Sequence, residues 1–435
     1  EDVLRGMNQL WRRNIKKADK SGVVVTQGTG TADLERAVRI EGELDWPTLK
    51  AALNNVARKH DILRTNFDFL TGMSIPLQVI NDSTKVSIQE YDLTAQSGPE
   101  QESLIEALWQ EPPASDFNLK HGQLWRLSLV TLSPSEHTLL LSLPSLCADA
   151  AGMTNLVREI SQTYAALREG REPAAESMQY AAISEWLNEL LESASAEAGK
   201  EYWRQQNVLA LPGLKLTAEK QAPINEDFAP RTLALTVASE LAAKIESLAQ
   251  KYETSTSTIL LTAWGVLLSR LTGQSDVIVG ANYDGRTDEE LGNALGLLAK
   301  HLPIHLELEE DSRFSEALQQ AARLSQDASD WQECFTWEQA FSSAGATAGS
   351  PFFPYVFDFE DPAPQYAAGG LTFSINRAYA CSDRFKIKLS CAGASDSLNC
   401  RFHYDPDIFA DVSIERVGAQ FLTLLRSITT NPESY

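Results

Sequence analysis

Apolar residues recur along this chain with two different periods. In "LERAVRIEGELDWPTLKAALNNVARKHDILRTNF" a strand-like run gives way to Leu49, Leu53 and Val56 at helical spacing. This predicts a strand, a turn, and a helix that begins near Asp45 with Pro47 in its first turn. Asp45 is placed to accept from the free amides there. Strands follow around "PLQVI" and "VSIQEYDL", then a helix at "EQESLIEALWQEP", the strand pair "WRLSLVTLS" and "HTLLLSLP", and the helix "AGMTNLVREISQTYAALREG". A polar, mostly helical segment, "EGREPAAESMQYAAISEWLNELLESASAEAGKEYWRQQ", separates this half from the next.

The second half repeats the grammar. It reads as strand "RTLALTV", helices "SELAAKIESLAQKYE" and "STSTILLTAWGVLLSRLTG", strands "DVIVGANYDG" and "LPIHLELEE", and a helix from Ser315. It closes with "KIKLSCAG", "LNCRFHYDPDIF" and the helix "SIERVGAQFLTLLRSITTNP". A chain of 435 residues exceeds what one hydrophobic core usually supports. The expected fold class is therefore α/β in two lobes, an N-terminal lobe over 1–175 and a helical linker with a C-terminal lobe over 176–435.

Composition narrows the function. The formal charge of -22 argues against nucleic acid, whose binding depends on phosphate neutralisation by Lys and Arg. No apolar run reaches the length of about 18 residues that spans a membrane, and "EDVLRGMNQLW" lacks a signal-peptide layout, so a soluble, cytoplasmic chain is expected. The five cysteines show no CxxC spacing and suggest neither a disulfide framework nor a zinc site. Against the acidic total, "RGMNQLWRRNIKKADK" carries Arg5, Arg12, Arg13, Lys16, Lys17 and Lys20. It reads as a solvated basic helix face, or as an anchor for an acidic partner.

The stretch "LLLSLPSLCADAAGM" runs from strand to helix through Pro144-Ser145-Leu146-Cys147-Ala148-Asp149-Ala150. Together with "FNLKHGQLWRLSLV", "EYWRQQ", "STILLTAWGVLLSRLTGQSDVIVGANYDGR", "ALGLLAKHLPIHLEL" and "HYDPDIFADVSIERVGAQFLTLL", in that order, it resembles the condensation domain of nonribosomal peptide synthetases. The resemblance covers nearly the whole chain. It implies two chloramphenicol-acetyltransferase-like lobes in a V-shaped arrangement with a central tunnel. Carrier proteins would bring phosphopantetheine thioesters to its mouths, and the domain would bind no metal or cofactor of its own.

The family motif His-His-any-any-any-Asp-Gly falls on Pro144 to Ala150, so the second histidine is replaced by Ser145 and the glycine by Ala150, while Asp149 is retained. The resemblance implies that Asp149 pairs with Arg286 of "NYDGR", from the other lobe, and that Arg64 joins the scaffold at the tunnel centre. Against the heterocyclisation relatives, with Asp-any-any-any-any-Asp-any-any-Ser, the chain reads Pro144, Asp149 and Gly152. Lys300-His301-Leu302-Pro303 stands where Asn-Thr-Leu-Pro is usual.

Ser145 is a candidate catalytic residue, as a hydroxyl donor to an oxyanion. His301 is a second, since imidazole suits proton transfer; the structural alternative for each is a polar filler and a scaffold group. Cys147 reads as a buried inert thiol, and His60, His121, His137, His305 and His403 read as structural. The aromatics of "QDASDWQECFTWEQAF" and "PFFPYVFDFEDP" read as core and lobe-bridging packing. The expected function is a non-standard acyl-transfer or tailoring step on carrier-tethered acyl or aminoacyl thioesters. The alternative is a non-catalytic platform that recruits a tailoring enzyme or spaces neighbouring domains.

Overall fold

The computed structural model describes residues 34–68, 77–82, 86–110, 117–121, 123–174, 178–206, 213–220, 228–337, 353–381, 383–394 and 397–433. The basic stretch from Arg5 to Lys20 lies outside the described residues. In chain order the first elements are β1 (Leu34–Glu41), α1 (Trp46–Lys59), β2 (Thr65–Asp68), β3 (Leu77–Ile80), β4 (Gln89–Asp92), α2 (Gly98–Gln110), β5 (Arg126–Ser133), β6 (Glu136–Leu143), α3 (Ala150–Arg168) and α4 (Tyr180–Glu192). Then come α5 (Glu197–Gln206), β7 (Arg231–Val237), α6 (Ser239–Lys251), α7 (Thr256–Thr272), β8 (Asp276–Tyr283), β9 (Lys300–Glu307) and α8 (Phe314–Asp330). The chain ends with β10 (Tyr355–Glu360), β11 (Gln365–Ala368), β12 (Leu371–Ala380), β13 (Ile387–Ala394), β14 (Ser397–Tyr404) and α9 (Asp411–Thr430).

These elements form two compact mixed α/β units, each with its own six-stranded sheet among the described residues. A single cut at residue 175 does not separate them. Of the described residues, the first unit combines those within 1–185 with Arg286–Leu298 and those within 364–382, and the second takes those within 186–285, 299–363 and 383–435. The physical reason is a late strand that pairs early: β12 runs antiparallel to β1, from Leu34 opposite Ala380 to Glu41 opposite Thr372.

The first sheet has the order β11-β12-β1-β6-β5-β4. α1 and α3 present Leu49, Leu53 and Val56, and Met153, Leu156 and Ile160, to a core shared with Val38, Ile40, Leu139, Leu141 and Phe373. Burying each such aliphatic side chain contributes about 1.5–3 kcal/mol, so this core fixes α3 to the sheet. Arg36 adds a polar tie. Its buried guanidinium donates to the carbonyl of Tyr379 on β12 (3.2 Å) and to that of Ala150 (2.9 Å), the first residue of α3. Asp45 occupies the cap position of α1, yet its carboxylate accepts from the Thr48 hydroxyl instead of the backbone amides.

The second sheet has the order β7-β14-β13-β10-β8-β9, with β10 parallel to both neighbours. Trp264 of α7 lies edge-on to Tyr355 and Phe402, and Phe402 to Phe421 of α9, so helices and sheet lock through aromatic packing. Among the described residues no helix is long and apolar enough to cross a membrane.

Candidate functional site

The loop that carries the degenerate motif is built by three local choices. β6 ends at Leu143, and Pro144 follows with no amide to extend the ladder. The next residues form a turn in which the Cys147 amide donates to the Pro144 carbonyl at 2.9 Å. Asp149, extended at φ -126°, then caps α3 by accepting from the Gly152 amide at 2.6 Å. Ser145 is half-buried in this turn, and Cys147 is buried in the core of the first unit.

Asp149 and Arg286 form a buried, bidentate pair, with Nη1 3.0 Å from Oδ2 and Nη2 2.9 Å from Oδ1. The Leu298 amide donates to the same Oδ2 at 2.8 Å. With the Gly152 amide, these bonds fill the four acceptor positions of a carboxylate, so Asp149 has no lone pair to spare for a substrate proton. The resemblance assigned this arginine to the other lobe. Arg286 does follow β8 of the second sheet, but the segment Arg286–Leu298 belongs to the first unit.

That segment is held along its length. Asn155 donates to the carbonyls of Gly292 (2.9 Å) and Ala294 (3.3 Å), and the Tyr180 hydroxyl donates to Leu297 (3.0 Å). Burial, with the nearby Asp149 charge, pushes the Tyr180 phenol up to about 12, so it stays a neutral donor. Gly296 sits at φ 143° with Tyr180 against it: a Cβ there would lie 2.1 Å from the ring. Only glycine satisfies both the conformation and the space.

Arg64 makes local contacts. It pairs with Asp61 inside its own turn and donates to the Asn81 carbonyl at 2.7 Å, so it fastens β3 beside β2. A neighbouring aspartate three residues back offered the closer partner. His60, as expected, is structural: its Nε2 lies 2.6 Å from Glu159 on α3, and Lys59 reaches the same carboxylate at 2.7 Å.

His301 lies in the second unit, on β9, and is 7% exposed. Its Nε2 is 3.0 Å from Asp358 and its Nδ1 3.1 Å from Asp383, while Lys388 reaches the other oxygen of Asp358 at 3.0 Å. Burial alone would lower the imidazole, but the two carboxylates outweigh it and hold it up at about 9. An imidazolium that donates from both nitrogens cannot accept a proton at neutral pH. The expectation of a catalytic His301 is corrected on that ground: it is one cation in a network of alternating charge that runs from the buried Lys388 through Asp358 and His301 to the exposed Asp383.

His403 shows the opposite solution. Burial, reinforced by nearby Lys388, depresses it to about 3, and its Nδ1 lies 2.8 Å from the Thr232 hydroxyl, so it is neutral. The expected aromatic packing appears within the second unit, where Trp203 and Trp337 flank Phe335 and Trp337 meets Phe353.

Sequence reasoning missed Asp358, Asp383, Lys388, Tyr180 and Arg36. The available signal was a single charge set at strand period among apolar neighbours, as in "YVFDFE" and "KIKLS". Among the described residues, the group of His, Cys, Asp and Glu side chains close enough to share a metal ion is Asp276, His305 and Glu307, away from the motif loop in sequence and in the second unit.

A family model described as "Condensation domain" matches residues 33–435. Tyrocidine synthase 2 of Brevibacillus parabrevis is 28% identical over 405 residues, covering 91% of this chain and 11% of that protein. The chain thus spans about a tenth of the length of the curated relatives it matches. Among solved structures, the SgcC5 protein from Streptomyces globisporus superposes with a TM-score of 0.82 at 22% identity, covering 97% of this chain and 98% of that one. The X-domain seen in a complex with OxyB from teicoplanin biosynthesis superposes with a TM-score of 0.78 at 20% identity, covering 97% and 93%. At these identities the structural likeness is one of fold.

Proposed function

This chain belongs to the condensation domain family, and on that premise we propose that it serves a nonribosomal peptide synthetase as a platform that forms no amide bond itself. Its partners in this reading are carrier proteins bearing phosphopantetheine thioesters, and a tailoring enzyme that acts on what they carry. The observation that supports it best is the motif loop. Where a general base is needed stands the hydroxyl of Ser145, and the one carboxylate retained beside it is filled by Arg286 and two backbone amides.

Amide formation from a carrier-bound amine requires loss of an ammonium proton. A neutral hydroxyl is far too weak a base for that step, and a positioned base usually supplies about 10²–10⁴-fold in rate. His301 does not replace it, being already protonated and doubly bonded. The relative found in complex with OxyB lends the idea of an enzyme-recruiting role, since the two chains share a fold across nearly their whole lengths.

A second reading keeps some chemistry. Ser145 remains half-buried, and a hydroxyl there is able to donate to an oxyanion in an acyl transfer that needs no base. Mass spectrometry of loaded carrier proteins, incubated with and without this domain, separates the readings. The platform reading expects unchanged acyl masses and retained binding of carrier or tailoring enzyme. A new product that depends on the domain and disappears in Ser145→Ala overturns it in favour of acyl transfer, and ordinary amide product overturns both.

A further inference from the structure

We infer that Asp276, His305 and Glu307 form a surface site for one divalent transition ion of the Zn²⁺ class. The site is independent of the proposed platform role. Its geometry comes from strand register. β8 begins at Asp276 and β9 ends at Glu307, and the two residues lie directly opposite on the antiparallel pair. His305 sits two residues before Glu307, opposite Ile278, so strand alternation sends all three side chains to one face.

The donor atoms already converge. One ligand atom from each residue lies within 4.8 Å of the others, and the His305 Nε2 is 3.0 Å from Asp276 Oδ1. Ligands at zinc bond lengths in a tetrahedron stand roughly 3.4 Å apart, so small rotations of the exposed Glu307 close the set. The Ser275 hydroxyl donates to the other oxygen of Asp276 at 3.1 Å, orienting that carboxylate as an outer-sphere partner does. The imidazole is only 14% exposed, whereas Asp276 is 41% exposed, which leaves a fixed nitrogen ligand below and water-accessible positions above.

Structural duty alone explains this arrangement poorly. Two carboxylates directly opposite on an antiparallel pair repel each other and weaken the ladder they stand on. The hydrogen bond from His305 engages Asp276 alone; a divalent ion offsets both charges and converts the repulsion into shared coordination. The mixed nitrogen and oxygen set, with one imidazole, selects Zn²⁺ and its neighbours over Mg²⁺ or Ca²⁺, which favour all-oxygen shells. The signal escapes a search for cysteine motifs because its three ligands come from two strands separated by a loop of the first unit.

The test is isothermal titration of the whole chain with Zn²⁺ after chelator treatment, with Mg²⁺ as a parallel arm. The expected result is one Zn²⁺ per chain, little heat from Mg²⁺, and affinity lowered at least about tenfold by His305→Ala and by Glu307→Gln. Glu307 is exposed, so its variant should retain the wild-type far-ultraviolet spectrum and guards against misfolding as an explanation. Absence of Zn²⁺ binding, or binding that neither variant weakens, overturns the site. Mg²⁺ binding of equal strength that survives loss of the imidazole overturns the ion class.

Discussion

Arg286 closes on Asp149 through two parallel hydrogen bonds of 2.9 and 3.0 Å, with both side chains almost wholly removed from solvent. The pair joins the start of α3 to the segment that follows β8, and neither charge has water to fall back on. Removing one partner from such a pair typically costs about 3–5 kcal/mol, chiefly because the other charge is left buried and alone. Asp149→Ala and Arg286→Met should each lower stability by that order, and the double variant should lose less than the two single losses added together. Urea unfolding midpoints check this; additive losses would mean that the two side chains act separately.

Gly152 is small for a packing reason. A Cβ at this position would lie 3.1 Å from the Asp149 carboxylate, 3.3 Å from Arg286 Nη2 and 3.3 Å from the Gly296 carbonyl. The heterocyclisation relatives place a serine there, but here the space is taken by the ion pair. Gly152→Ser should therefore destabilise by about 1–3 kcal/mol through overpacking, without conferring cyclisation activity. A thermal melt checks the first part. An unchanged midpoint would show that the pair relaxes to admit the side chain.

Ser145→His should not restore amide formation. The turn holding Ser145 is closed from Cys147 to Pro144, and Pro144 fixes its own backbone torsion near -65°. A turn closed around a serine does not by itself fix the orientation of a larger ring, and catalytic groups must be held within about 0.5 Å of productive geometry. Product formation from simple loaded carriers should stay at the background of the unmodified domain, measured by intact-carrier mass spectrometry. Strong activity from the single substitution would show that the rest of the site had remained competent.

The periodic elements were legible in the sequence because their signals are local. The helix from Trp46 to Lys59, the strand pair from Arg126 to Leu143 and the helix from Asp411 to Thr430 all sit where alternating or helical spacing places them. β12 was not legible as part of the first sheet. Leu371–Ala380 does alternate, but nothing local in it specifies a partner strand more than three hundred residues earlier. The Asp149–Arg286 pair emerged from matching the motif, not from the residues themselves. Arg64 shows how far that route reaches: the match named it a scaffold ion-pair residue, and its partner is Asp61, three residues earlier. His301 failed as a catalytic candidate, since its two carboxylate partners lie 57 and 82 residues away.

Those two carboxylates also give the protein a defined pH response. The folded state raises His301 from 6.5 to about 9, against burial, because Asp358 and Asp383 hold its proton. Below pH 6.5 folded and unfolded chains are both protonated here, and the stabilisation is fully present. Between 6.5 and 9 the unfolded chain has lost its proton while the folded one keeps it, so stability falls as pH rises, by on the order of 3 kcal/mol across the window. His403 acts on the other side. Its folded value of about 3 lies below its ordinary 6.5, so its contribution is complete above 6.5 and is lost as pH falls and the unfolded chain gains a proton that the buried ring refuses. Below pH 6.5 the half-buried Glu35 opposes His403, because burial raises that carboxyl from 4.5 to about 7 and stability falls with rising pH across that window. Urea midpoints measured from pH 5 to 9.5 should therefore show the alkaline limb most clearly. His301→Gln should flatten that limb, while His403→Gln should spare it and change the slope only below pH 6.5. An alkaline limb of unchanged slope in His301→Gln would mean that another group governs it, and that the Asp358–His301–Asp383 network does not hold a proton through neutrality.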